Sequence, residues 1–214
     1  MARQQNSGPA TPFRRHGLTP QWRALGVAPL AFFVLHALYH IGQGTAGHLL
    51  WVCTVSNLLL AFGLFLDLPL LIRVAVMWLI TGLPLWAWDM SAQGTGPVSS
   101  FLTHFGGLAI GLISLSRVRA TRGVWVYAFI WYLALQLLAR LLTPPELNVN
   151  LAHDMYGGWH DVFSSYRKFS VFMSVVVAAA LWLNGLAMLK LFPPPLNHPQ
   201  RGAYEGDDIS PQIA

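Results

Sequence analysis

Charged residues are scarce in this chain of 214 residues. Asp, Glu, Lys and Arg make up 10% of it, against roughly 25% in soluble domains. The single cysteine, Cys53, excludes an intramolecular disulfide and a zinc cluster built on several cysteines. The sequence also contains no GxSxG, P-loop, HExxH or CxxC motif. An ordinary soluble enzyme is therefore not expected.

Long apolar segments take the place of the missing charge. Hydrophobic residues make up 55% of the chain, and a membrane-spanning helix needs about 20 mostly apolar residues. Six segments of helix length fit this description: 26–44, 48–66, 69–88, 101–116, 124–142 and 169–192. Lipid offers no hydrogen-bond partner to an open strand, so each segment is expected to be helical. The sequence predicts an all-α integral membrane protein in the lipid bilayer, a bundle of six transmembrane helices with a long outer loop between the fifth and the sixth.

The few cations predict how the bundle lies in its membrane. Ten of the 13 Lys and Arg residues flank the segments on one side, and such an excess is typical of cytoplasmic loops. These ten are Arg3, Arg14, Arg15, Arg23, Arg73, Arg117, Arg119, Arg122, Lys190 and Arg201. The protein is therefore expected in a bacterial inner membrane, with both termini in the cytoplasm. Because the membrane explains the positions of the basic residues, nucleic acid is not expected as a partner.

The two ends of the chain differ in composition from its middle. Residues 1–24 are rich in Pro, Gly, Ser and Gln, and residues 194–214 are polar, so both are predicted to be disordered cytoplasmic tails. Residues 25–193 form the predicted six-helix transmembrane domain. Candidate chemistry is expected only in this middle part.

Histidines cluster on the outer side of the predicted bundle. His36 and His40 are four residues apart, so on a helix both project from one face. His104 precedes Gly106 and Gly107, which let neighbouring helices approach, so its ring is expected to face the bundle. The three imidazoles are predicted to hold zinc or another divalent metal, and axial ligation of haem by two of them is the alternative. Interfacial histidines bonded to nearby backbone would give the same pattern.

Acidic residues accompany the histidines on that side. The connection between spans 5 and 6 repeats a His-Asp pair, His153-Asp154 and His160-Asp161, and Asp89 ends span 3. A carboxylate that binds one imidazole nitrogen raises the basicity of the other. These five residues are therefore the predicted catalytic groups that activate water. The alternative is an amphipathic connector anchored by aromatic residues, with Asp89 marking the water boundary of its helix.

Three functions remain open on this pattern. The first is a metal-dependent hydrolase or transferase that acts on a lipid or another amphiphile at the extracytoplasmic face. The second is a redox subunit of the membrane that binds haem or a metal. The third is a non-catalytic partner or assembly subunit of a larger membrane complex, with the nine Trp residues as interfacial anchors.

Overall fold

The structure, a computed structural model, describes residues 17–93 and 96–194, and the regular elements in these two ranges are all helical. Short 3-10 turns and one π turn connect the α-helices. The α-helices are α1 Pro20–Ala24, α2 Val27–Gly42, α3 Val52–Phe65, α4 Pro69–Gln93, α5 Val98–Phe101, α6 Gly107–Val118, α7 Val124–Leu142 and α8 Tyr166–Leu191. The prediction of an all-α fold is confirmed for the described residues.

Five helical stretches are long and apolar enough to cross a membrane. They are Pro20–Gly42, Pro69–Ser91, Val98–Val118, Val124–Leu142 and Tyr166–Leu191. The first joins α1 to α2, and the third joins α5, the π turn and α6. Such lengths and compositions are those of a multi-pass integral membrane protein.

The second predicted span, 48–66, forms a helix that is shorter than its apolar segment. Within 48–66, the residues up to Leu50 belong to a 3-10 turn, Ala46–Leu50, and α3 begins only at Val52. The 14 residues of α3 rise about 21 Å, which is less than the roughly 30 Å hydrocarbon core of a bilayer. The described residues thus contain five candidate spans and one shorter apolar helix.

α4 occupies the centre of the bundle. It packs against α3, α6, α7 and α8, and every residue from Ile72 to Leu79 is buried. By contrast, only 11% of the apolar window of α8 is buried inside the protein. Most of α8 therefore presents apolar surface outward, as a helix does where lipid or another protein covers it.

Cations gather at one end of the bundle, which we call the basic end. There Arg73 donates from Nε to the carbonyl oxygen of Arg119 at 2.7 Å and from Nη2 to that of Val118 at 2.6 Å. These bonds satisfy carbonyl groups that the end of α6 leaves without helical partners. Arg117 and Arg122 flank the same connection between α6 and α7.

The described helices begin at Pro20, before residue 25, although the sequence predicts a tail over residues 1–24. Leu18 is buried, its N–H donates to Asp67, and α1 follows at Pro20. Asp67 also faces Arg23, with 3.8 Å between the carboxylate and the guanidinium. Residues 1–16 and 195–214, which make up most of the two predicted tails, lie outside the described residues.

The opposite end of the bundle is where α2, α4 and α7 end and where α3, α5 and α8 begin. We call it the histidine end. Residues 143–165 connect α7 to α8 there through three 3-10 turns, Pro145–Leu147, Val149–Leu151 and Gly157–Asp161. The buried Asn150 fastens this connection, because its Oδ1 accepts from the N–H of Val52 and its Nδ2 donates to the carbonyl of Leu50.

Candidate functional site

All six histidines of the described residues lie at or near the histidine end. Four of them, His36, His40, His48 and His104, lie inside the bundle or at its mouth, and the other two are in the connection 143–165. Exposure differs among the six rings, because His36 is 5% and His104 3% exposed, whereas the His160 side chain is 53% exposed. The buried rings are the stronger candidates for a site, since burial of a polar ring must be compensated.

Three of the imidazole rings form a row at the mouth. The His36 and His40 rings meet edge to face with 4.5 Å between their centres, as expected for positions one helical turn apart. The His40 ring then stacks on that of His48, 5.1 Å away. His36 is close enough to His48 and to His104 to interact with both electrostatically. The turn after α2 thus brings His48 back onto the helix that carries the other two.

Hydroxyl groups bind the first two rings of this row. His36 Nδ1 lies 3.1 Å from Oγ of Ser99, in the first turn of α5. His40 Nδ1 lies 2.9 Å from Oγ1 of Thr45, in the turn that follows α2. The Ser99 contact joins two different candidate spans, and it places an alcohol next to a buried imidazole.

His104 presents an unused nitrogen inside the protein. Its Nδ1 lies 2.8 Å from the carbonyl oxygen of Ser100, and a carbonyl can only accept, so Nδ1 carries the proton of the neutral ring. Nε2 therefore has a free lone pair, and it is buried without a hydrogen-bond partner among the described residues. The ring is held by stacking on Trp86, 4.7 Å away, whose indole N–H donates to Oγ of Ser100. Buried polar atoms without a partner are rare, which makes this nitrogen a candidate for chemistry.

The backbone around His104 is itself unusual. Residues Leu102–Gly106 form a π turn between α5 and α6, and π turns in α-helices occur frequently at functional sites. A methyl group on Gly106 would lie 2.7 Å from the Phe32 ring of α2, and one on Gly107 would overlap Asn57 of α3. These glycines let three helices meet closely around the His104 ring, as the sequence predicts.

His48 is tied to an indole and lies near an acid. The Trp51 indole N–H donates to His48 Nδ1 at 2.9 Å, so the proton of the neutral His48 ring is on Nε2. Burial lowers the pKa of His48 below its usual value of 6.5, and the charge of Asp89 opposes this by raising it. Asp89, predicted to be catalytic, thus lies within electrostatic range of the ring row.

The histidines of the connection are placed differently. The His160 Nε2 atom lies 3.8 Å from the carboxylate of Asp154, so the acid nearest to this ring in the described residues is not its neighbour Asp161. His153 contacts Thr143 through Nε2 at 3.4 Å. The recorded hydrogen bonds and ion pairs of these side chains stay within 143–165. The structure brings the predicted catalytic pairs to the same end as the ring row but not into it.

The predicted metal ligands do not form a metal site. Among the described residues, no three His, Cys, Asp or Glu side chains are grouped so that they could hold a metal ion. The ring geometry gives the reason, because His36 and His40 meet edge to face and His40 stacks on His48, whereas zinc needs ring nitrogens that point to one centre about 2.0–2.1 Å away. Metal binding by His36, His40 and His104 is therefore not supported.

Sequence reasoning missed the side chains that orient these rings. Ser99, Ser100 and Trp86 carry no motif, and the predicted fourth span begins at residue 101, after both serines. Pro97 precedes α5, and a proline at a helix start would have extended the span to include them. The pairing of Ser99 with His36 depends on contact between distant helices, which no local signal contains.

Comparison of the chain with known protein families, with curated proteins and with solved structures finds no match.

Proposed function

We propose that this protein is a multi-pass membrane hydrolase or transferase that acts on an acyl group of an amphiphile at the histidine end. The observation that carries the proposal is the contact between Ser99 Oγ and His36 Nδ1, 3.1 Å apart. A nucleophile and a base within hydrogen-bond reach are the minimal unit of covalent acyl transfer. The metal and haem alternatives have no comparable geometric support.

The surroundings suit a base at His36. The ring is 5% exposed, so bulk water does not compete for Nδ1. It meets the His40 ring edge to face, which limits its rotation and keeps Nδ1 towards Ser99. A base whose orientation is fixed by a third group is the arrangement that activates a serine.

The proposed reaction begins on the Ser99 hydroxyl. Its oxygen attacks the ester carbonyl carbon of the substrate, forms the Oγ–C bond and gives its proton to His36 Nδ1. The tetrahedral intermediate then expels the alcohol, which takes the proton back from His36 as the ester C–O bond breaks. An acyl group remains on Ser99, and water or a second alcohol then attacks the acyl carbon and releases it.

His104 is assigned a part in the second half of this reaction. Its Nε2 has a free lone pair, and Ser100, which orients the ring through its carbonyl, is the neighbour of Ser99. We assign to Nε2 the acceptance of a proton from the water or alcohol that attacks the acyl-serine, and its transfer to Ser99 Oγ as the Oγ–C bond breaks. A base with a fixed tautomer is suited to this role.

An amphiphilic substrate follows from where the pair lies. Apolar side chains around the mouth are exposed, including Leu38 on α2, Leu85 and Trp88 on α4, and Phe101 beside Ser99. Such a surface excludes a polar substrate dissolved in water but accepts an acyl chain in the membrane. The ester group of that substrate would lie at the depth of the ring row.

Hydrolysis of a simple ester tests the proposal. The purified protein in detergent micelles is expected to release p-nitrophenol from p-nitrophenyl decanoate. Ser99→Ala and His36→Asn are each expected to reduce this rate at least a hundredfold, because general-base catalysis contributes about 10²–10⁴-fold. The matched control is Ser91→Ala, since Ser91 is exposed near the same end and its hydroxyl donates to the Trp88 carbonyl.

Other results would overturn the proposal. Equal rates of ester hydrolysis in Ser99→Ala and in the unaltered protein would exclude Ser99 as the nucleophile. A Soret band, or one equivalent of zinc that His36→Asn abolishes, would replace the acyl-transfer account with a cofactor site.

A further inference from the structure

A second candidate site lies away from the Ser99–His36 pair, between α7 and α8. A cavity of about 180 Å³ opens there near the histidine end. Its lining includes Ala152 of the connection and side chains of both helices: Leu133, Gln136, Leu137 and Arg140 from α7, and Tyr166 and Ser170 from α8. The proposed acyl-transfer pair is on α2 and α5, so the two sites share no residue.

The cation in this cavity is held in place by the protein. Arg140 Nη1 donates to the carbonyl oxygen of Ala152 at 3.1 Å, and the guanidinium carbon lies 5.4 Å from the centre of the Tyr166 ring. The Tyr166 hydroxyl donates to the same carbonyl at 2.8 Å. A guanidinium that is oriented by a carbonyl and an aromatic ring loses little freedom when it binds a further group.

No anion among the described residues forms an ion pair with this cation. The recorded ion pairs of the described residues are Arg23 with Asp67 and His160 with Asp154, and neither involves Arg140. Arginine has five N–H donors, and one of them has a partner in the described part of the chain. A lone cation beside exposed apolar residues such as Leu141, which is 70% exposed, favours an external anion.

The rest of the cavity indicates what carries that anion. Leu137 lies almost one helical turn before Arg140, and Leu133 lies about one turn before Leu137, so both line the same face of α7. They extend from the charged group at the end of the bundle towards its middle. This order, a cation at the membrane surface and an apolar wall below it, matches an anionic head group on an acyl chain.

We propose that the cavity between α7 and α8 binds an anionic amphiphile, with its phosphate or carboxylate on Arg140 and its chain along Leu133 and Leu137. A membrane phospholipid and a free fatty acid share this chemistry. The site is independent of the proposed acyl-transfer activity, and its test does not use that activity.

Native mass spectrometry of the full chain in detergent provides the test. The probes are dioleoylphosphatidylglycerol, dioleoylphosphatidylcholine and oleate. We expect the phosphatidylglycerol or oleate adduct to form at lower concentration than the zwitterionic phosphatidylcholine adduct. Arg140→Gln is expected to weaken the anionic adduct about tenfold or more, because a charge-assisted contact is lost. Arg140→Lys keeps the charge but not the planar fork, so an intermediate loss is expected.

The matched control is Arg167→Gln, because Arg167 is an exposed arginine in the first turn of α8. Adduct formation by this variant should be unchanged. Leu137→Trp, which fills the apolar part of the cavity and leaves Arg140 intact, should weaken both anionic adducts and covers the case in which Arg140→Gln fails to fold. If phosphatidylglycerol binds and oleate does not, the ligand is a phospholipid. If oleate binds and phosphatidylglycerol does not, the ligand is a free fatty acid. Equal loss in Arg140→Gln and Arg167→Gln, or equal binding of phosphatidylcholine and phosphatidylglycerol, would overturn the proposal.

Discussion

The two nitrogens of the His104 ring differ in function, since one orients the ring and the other is available for chemistry. His104 Nδ1 donates a hydrogen bond to the Ser100 carbonyl oxygen, and the face of the ring stacks on Trp86. Both serve to fix the ring, and neither uses Nε2. Nε2, which has no hydrogen-bond partner among the described residues, thus makes no contact that orients the ring.

A phenylalanine at position 104 should separate these tasks. His104→Phe keeps a flat ring against Trp86, and the Ser100 carbonyl still accepts from the Thr103 hydroxyl at 2.8 Å. We expect unfolding free energy to fall by no more than about 1 kcal/mol, the net value of one hydrogen bond. The rate of ester hydrolysis should fall at least tenfold, because the base is gone. Thermal unfolding and p-nitrophenyl decanoate hydrolysis, measured on the same preparation, check both, and full activity in His104→Phe would remove the role assigned to Nε2.

The lowered pKa of His48 is expected to make the folded protein less stable at acidic pH. Burial lowers this pKa in the folded protein below the 6.5 of the unfolded chain, while Asp89 opposes the shift. Below about pH 6.5 the unfolded state therefore binds the His48 proton more readily, and stability falls as pH falls. Above that pH the contribution is fully present.

Two variants test this assignment. His48→Gln can still accept the Trp51 indole N–H, and it should flatten the decrease in melting temperature between pH 7.5 and pH 5.5. Asp89→Asn removes the opposing charge and should steepen it. An identical pH slope in His48→Gln and in the unaltered protein would assign the dependence to other groups.

The helices explain which parts of the architecture were predictable. The segment 124–142 coincides with α7, because mostly apolar residues and flanking Gly123 and Pro144 mark its ends in the sequence. The segment 48–66 is equally apolar, yet its first residues form a 3-10 turn that carries His48 back onto α2. Hydropathy measures transfer into lipid and not the path of the backbone, so it could not distinguish the two cases.

The candidate site was predictable only in part for a similar reason. Side-by-side placement of His36 and His40 follows from helical periodicity, and the burial of His104 follows from its glycines. The failure of these rings to form a metal site depends on rotamers and ring stacking. Ser99 entered the site through contact between α5 and α2, which one sequence does not encode in any local pattern.

Close packing between α3 and α6 should limit what position 107 tolerates. A methyl group on Gly107 would overlap Oδ1 of the buried Asn57, and the Asn57 amide is fixed by bonds to the Cys53 and Thr103 carbonyls. Gly107→Ala should therefore lower unfolding free energy by about 1–3 kcal/mol, as overpacking does.

Gly82→Ala is the matched control for this prediction. Gly82 is also helical, but a methyl group there would meet Cys53 at 3.4 Å, an ordinary contact. Stability should be unchanged or slightly higher, since alanine favours the helix by about 0.5–1 kcal/mol over glycine. Thermal unfolding of both variants checks the pair, and equal melting temperatures would contradict the close approach of α3 and α6.

Across the bundle as a whole, polarity is sorted by end. The described cations of the basic end include Arg23, Arg73 and Lys190, whereas the ring row and Asp89 lie at the other. We propose that α3 crosses the membrane together with the five longer helices, that the basic end is cytoplasmic, and that both termini lie there.

Reporter fusions test this topology. Alkaline phosphatase, which is active only outside the cytoplasm, should be inactive when fused after Ala214 and active when fused after Asn148, in the connection between α7 and α8. Activity at the C-terminus, or none after Asn148, would reverse the proposed orientation. A count of five crossings would place the two termini on opposite sides.

Covalent labelling tests directly whether the Ser99 hydroxyl is an activated nucleophile. A fluorophosphonate forms an Oγ–P bond with an activated serine and releases fluoride, so it reports the nucleophile without a known substrate. After labelling of the protein in native membranes, peptide mass spectrometry should find the adduct on Ser99, lost in His36→Asn and retained in Ser91→Ala. An unlabelled Ser99, or equal labelling of Ser99 in His36→Asn, would contradict the proposed acyl-transfer site.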